Sequence, residues 1–222
     1  MAHAPPRGSS PLTSPDATGV GAARRWMGRA WLAVFRWRLE TETPRHAKFV
    51  VIAAPHTSGW DLPFMLATAW TMDVPIAWMG KRELFAPPWG WFMRALGGIP
   101  IDRSAHHNTV GWAVAQLDRA ERLVLSIPAK GTRAKAEYWK SGFYHIAKGA
   151  NVPVALAYLD YGKKRCGLGA FVMPSGDVRA DMDRIRGFYA GVTAKFPHLE
   201  GVPRLREEEA QAAAEQPLRA AS

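Results

Sequence analysis

From Lys48 onward, short apolar runs rich in β-branched residues alternate with stretches of helical spacing, and this alternation limits the folds open to the chain more than any other feature. The first run, Phe49-Val50-Val51-Ile52-Ala53-Ala54, is too short for a buried helix and suits a strand covered on both faces. Lys48–Ala54, Pro75–Met79, Ile99–Ile101, Leu123–Ile127, Val152–Leu159 and Gly169–Met173 all read as strands. Leu62–Met72, Pro88–Leu96, Asn108–Ala120, Ser141–Lys148 and Ala180–Phe196 read as helices, two of them closed by Gly97–Gly98 and Gly149. The pattern predicts a single α/β domain, with helices flanking a mixed, largely parallel sheet. Ligands of such sheets bind beyond the carboxyl ends of the strands.

The ends of the chain read differently. Residues 1–21, rich in Pro, Ser and Gly, lack the apolar middle of a secretion signal and are expected as a disordered tail. Ala22–Glu40 is expected as an amphipathic interfacial helix. Met27, Ala30, Trp31, Val34 and Phe35 form one stripe, Arg25, Arg29 and Arg36 lie opposite, and Trp26 and Trp37 lie on a flank. The same pattern also fits a surface helix packed on the domain. The domain is expected over 41–198, and the polar stretch 199–222 as a fraying tail.

Charge narrows the partners. The formal net charge is +10 and the sequence pI is about 10.1, which favours anionic partners. Ten tryptophans tilt that choice towards a membrane surface, where indole rings lie half wet and half apolar. Nucleic acid has only the charge in its favour, with no binding motif to support it. No apolar run approaches the ~20 residues of a membrane span. The single cysteine, Cys166, allows no internal disulfide and fits a reducing compartment. His106 and His107 lack further ligands nearby, so no metal is expected.

Four stretches carry chemistry. The first strand stops at Pro55 and is followed by His56, the loop Thr57-Ser58-Gly59-Trp60, and Asp61. Histidine can take and return a proton near neutrality, and a carboxylate on one ring nitrogen fixes its tautomer. Asp61 equally suits a plain helix N-cap, and His56 a loop histidine. The others are Gly80-Lys81-Arg82-Glu83-Leu84-Phe85, then Gly98-Ile99-Pro100-Ile101-Asp102-Arg103-Ser104, then Pro128-Ala129-Lys130-Gly131-Thr132-Arg133. Arginine past a strand suits phosphate through paired hydrogen bonds, and a glycine lets the backbone approach an anion. Each stretch alone also fits a solvated basic loop. Ser58 and Ser126 could serve a hydrolase, but neither sits in a Gly-x-Ser-x-Gly elbow.

Taken in order, the four stretches resemble the glycerolipid acyltransferase family, whose members include 1-acylglycerol-3-phosphate acyltransferases. HTSGWD matches the family's His-x4-Asp block, GKRELF its Gly-Lys block, IDR its Ile-x-Arg block, and AKGTR its Pro-Glu-Gly-Thr-Arg block. WKSGFYHIA and the strand from Val152 match what commonly follows, so the resemblance runs from about Lys48 to Tyr161. It implies an O-acyltransferase with His56 as base and Asp61 as its orienter. Lys81, Arg103, Lys130, Gly131, Thr132 and Arg133 would bind substrate. It implies no cofactor: acyl-CoA or acyl carrier protein would supply the acyl group, and a lysophospholipid-like acceptor would receive it. The enzyme would be cytoplasmic, peripheral on the inner face of the membrane. One departure stands out, because Lys130 occupies the place of the family's glutamate. It leaves open a relative that binds lipid or anion with impaired catalysis.

Overall fold

The computed structural model describes residues 19–41, 44–101, 106–211 and 213. Its elements run α1 (Ala22–Val34), β1 (Arg38–Leu39), β2 (Lys48–Ala54), α2 (Asp61–Thr71), β3 (Ile76–Lys81), α3 (Gly90–Ala95), β4 (Gly98–Ile101), α4 (His106–Arg119), β5 (Leu123–Ile127), α5 (Gly142–Gly149), β6 (Val154–Asp160), β7 (Arg165–Val172) and α6 (Val178–Tyr189).

One seven-stranded sheet holds the fold, in the order β1-β7-β6-β2-β5-β3-β4. All neighbouring pairs are parallel except β6 and β7, which run antiparallel. The mixed, largely parallel α/β sheet expected from the sequence is therefore present. β2 lies centrally, with Val51 opposite Ser126 of β5 on one side and Ala155 of β6 on the other. Its side chains alternate between two cores, as a strand's must. Val50 and Ile52 pack with Leu117 of α4, Phe143 and Ile146 of α5, and Met182 and Ile185 of α6. Phe49 and Val51 pack with Leu66 and Ala69 of α2. The hydroxyl of Tyr189, at the end of α6, reaches the carbonyls of Ile52 and Ala157 and ties that helix to the sheet.

α1 forms an outer layer on α2. Gly28 permits the approach, because a β-carbon there would meet the Ala67 carbonyl at 2.6 Å. Leu32 is buried beside Phe64, and Arg25 pairs with Asp73 at 3.0 Å. The helix does not run to Glu40 as expected. It ends at Val34, Arg36 adopts φ 58°, and the chain turns into the short edge strand β1. The expected stripe is split: Trp31 and Phe35 pack inward beside the buried Leu32, whereas Met27 is 45% and Val34 77% exposed.

The polar stretch from 199 onward, expected as a tail, is docked as far as it is described. Leu205 is 1% exposed, the Trp139 N–H donates to the Arg204 carbonyl at 2.8 Å, and Arg186 donates to the Pro203 carbonyl. The amino-terminal tail expected over 1–21 lies outside the described residues up to position 18.

Candidate active site

The parallel strands bring the ends of β2, β3, β5 and β6 to one edge. Past Ala54, the chain leaves β2 and forms a loop that returns at Asp61, the first residue of α2. Asp61 does not cap the helix as the sequence pattern allows. Trp60 holds the capping position, and the Asp61 carboxylate turns back on its own loop. Its Oδ2 accepts from His56 Nδ1 at 3.1 Å, from the Thr57 N–H at 3.0 Å and from the Ser58 N–H at 2.9 Å. Its Oδ1 accepts from the Tyr161 hydroxyl at 2.8 Å.

Asp61 is buried, whereas the His56 ring is 30% exposed. A carboxylate on Nδ1 selects the tautomer with its proton there and leaves the Nε2 lone pair to act as a base. Tyr161 closes the carboxyl end of β6, and burial, more than its bond to Asp61, pushes the phenol's pKa far above its usual value. The loop is also held from outside, where the Phe196 N–H donates to Thr57 Oγ1 at 3.2 Å.

The stretch after β5 comes alongside. Gly131 turns the chain at φ +72°, and its N–H donates to the Pro128 carbonyl at 2.9 Å. Thr132 Oγ1 accepts from the Ala134 N–H at 3.2 Å. Arg133 reaches the His56–Asp61 loop, because a β-carbon on Gly59 would lie 3.1 Å from one of its terminal nitrogens. Lys130 is placed differently. Its ammonium is buried, donating to the Leu199 carbonyl at 3.0 Å and the Arg133 carbonyl at 3.5 Å. Desolvation lowers its pKa, partly offset by the charges of Glu200 and Asp61. Burial raises the pKa of Glu200, and Lys130 pulls it back down.

The fold thus brings His56, Asp61, Lys130 and Arg133 to one place, with Gly131 and Thr132 between the last two in the chain. Lys81 ends β3, two strands from β2 in the sheet order, so it stands about 10 Å away along the same edge. Arg103 lies outside the described residues. Sequence reasoning places Tyr161 at a strand's end, within possible reach of the site, without a role, and it missed Lys195. The Lys195 ammonium sits over the rings of Tyr161 at 5.3 Å and Trp60 at 6.0 Å. Among the described residues, no three His, Cys, Asp or Glu side chains gather as a metal site requires.

Such a site defines an α/β protein with a histidine paired to a buried carboxylate and a nearby guanidinium at the carboxyl edge of its sheet. The family model described as Acyltransferase matches residues 36–158, more than half of the chain, and the chain belongs to that family. A 1-acyl-sn-glycerol-3-phosphate acyltransferase of Streptococcus pneumoniae is 31% identical over 113 residues, which cover 50% of this chain and 41% of that relative. The chain therefore matches less than half of the relative's length. The crystal structure of the 1-acyl-sn-glycerophosphate (LPA) acyltransferase PlsC from Thermotoga maritima superposes with a TM-score of 0.50. It is 19% identical, with 78% of this chain and 80% of that one covered, a likeness of fold.

Proposed function

We propose that this protein is an O-acyltransferase that moves a fatty acyl group from an acyl thioester to the hydroxyl of a 1-acylglycerol-3-phosphate-like acceptor at a membrane surface. The observation that carries this reading is the His56–Asp61 contact of 3.1 Å inside the family-matched region. His56 Nε2 takes the proton of the acceptor hydroxyl as that oxygen attacks the thioester carbonyl. Asp61 stabilises the imidazolium as it forms. The tetrahedral intermediate collapses, the carbon–sulfur bond breaks, and the departing thiolate receives the proton from His56. Arg133 holds the acceptor's phosphate through its guanidinium fork, with Lys81 further along the edge. Coenzyme A or acyl carrier protein is the donor.

Placement on the inner face of a membrane is supported by the exposed Trp26, Met27 and Val34 on α1 and by Trp91 and Phe92 on α3. Arg24 of α1 donates to the Ala95 carbonyl at the end of α3, so the two exposed sets belong to neighbouring helices. Among the described residues no helix is long and apolar enough to cross a bilayer. The test is to supply the purified protein with acyl-CoA, or acylated carrier protein, and 1-acylglycerol-3-phosphate in vesicles. Mass spectrometry should find the diacyl product with wild type and not with His56→Ala. Equal product from the variant would overturn the assignment.

A further inference from the structure

Asp61 receives more donors than a helix cap requires, and they divide unevenly. His56 and the N–H groups of Thr57 and Ser58 all address Oδ2, and all come from the loop itself. Among the described residues the only hydrogen bond to Oδ1 comes from Tyr161, 100 residues along the chain. Rotation of a carboxylate about its last bond is broad. The three donors on Oδ2 move with the loop, and the Tyr161 donor on Oδ1 adds the restraint that ties the carboxylate to the sheet. We propose that Tyr161 is a positioning residue for acyl transfer, holding the Asp61 carboxylate in the rotation that presents Oδ2 to His56 Nδ1.

The phenol is itself well fixed. Its ring meets Trp37 edge-on at 4.9 Å and Phe64 at 5.9 Å, while Lys195 caps it at 5.3 Å. Burial keeps the hydroxyl protonated, so it remains a donor wherever the enzyme works. The other charged groups nearby cannot replace it. Lys130 acts on Asp61 through space while donating to backbone carbonyls, Arg133 lies against Gly59, and Lys195 lies over aromatic rings. A neutral donor orients the carboxylate without cancelling the charge His56 needs.

The proposal rests on the acyl-transfer reading, and its test separates the two. Tyr161→Phe keeps the ring and removes only the hydroxyl. The expected result is a modestly lower thermal midpoint from the unmet Oδ1, an unchanged KM for the acceptor, and a kcat about ten- to a hundredfold lower. In an Asp61→Asn background the same change should have no further effect on kcat. With nitrogen-labelled histidine, NMR should show the His56 ring losing its uniform Nδ1–H tautomer in Tyr161→Phe. A wild-type kcat in the variant, or an undiminished loss in the Asp61→Asn background, would overturn the role. If wild type transfers no acyl group, the transfer reading falls, and the tautomer decides on Tyr161 alone: an unchanged ring overturns it.

Discussion

Gly59→Ala is a small change that tests the proposed role of Arg133 as headgroup ligand. Gly59 is exposed and its φ is not positive, so alanine brings no backbone strain there. The new β-carbon would lie 3.1 Å from a terminal nitrogen of Arg133, inside the ~3.5 Å of ordinary contact, so the guanidinium must give by about 0.4 Å. A hydrogen bond to a charged group is worth about 1.5–3 kcal/mol. Misaligning one arm of the fork should therefore cost about 1.4 kcal/mol, a tenfold weakening. The assay is steady-state acyl transfer to 1-acylglycerol-3-phosphate and, in parallel, to an uncharged monoacylglycerol. KM for the anionic acceptor should rise about tenfold, with the neutral acceptor unaffected. Stability should hold or rise slightly, by about 0.4–1 kcal/mol, because alanine narrows the unfolded ensemble. An unchanged KM for the phosphate acceptor, or an equal rise for both, would refute the placement of Arg133 at the headgroup.

Three further outcomes follow from the same geometry. Lys130→Glu restores the family's residue type, yet it should lower both turnover and stability, the latter by about 3 kcal/mol. A carboxylate cannot donate to the Leu199 carbonyl and faces Glu200 and Asp61, so higher turnover would show instead that the site is degraded. Trp37→Ala removes a buried ring stacked on Phe64 at 4.3 Å and should cost about 3–5 kcal/mol by urea denaturation. Tyr158 has its pKa raised from 10.0 to about 12 by burial and Glu40. The folded state therefore binds more protons in that window, and stability is full below pH 10 and falls as pH rises towards 12. Tyr158→Phe should flatten that fall in denaturant titrations, and an unaltered slope would count against it.

Much of this fold is legible locally. β2, β5 and β6 announce themselves because a buried parallel strand needs a near-continuous apolar run, and Phe49–Ala54, Leu123–Ile127 (interrupted only by Ser126) and Val154–Leu159 supply one. His56 and Asp61 are legible as a pair because both ends of the contact lie within one short loop. The end of α1 is not, since Arg36 turns the chain at φ 58° without the glycine that usually marks such a stop. β1 is too short to have a pattern. Lys130 reads as an anion ligand from its neighbours Gly131 and Arg133, but its partner is a backbone carbonyl 69 residues away, which no local pattern encodes. Tyr161 is legible as the end of a strand, but its partner Asp61 lies 100 residues back, which no local pattern encodes.

The His56–Asp61 loop is held from outside by chain that is synthesised long after it. Phe196 reaches Thr57 across 139 residues and Tyr161 reaches Asp61 across 100. Closing such long loops carries an entropic cost that only the finished sheet offsets. The loop is thus expected to be among the last parts to order on folding, and to open under stress before the sheet does. Activity should then be lost at denaturant concentrations where the strands still protect their amides, and should return only after the segment around Phe196 has docked.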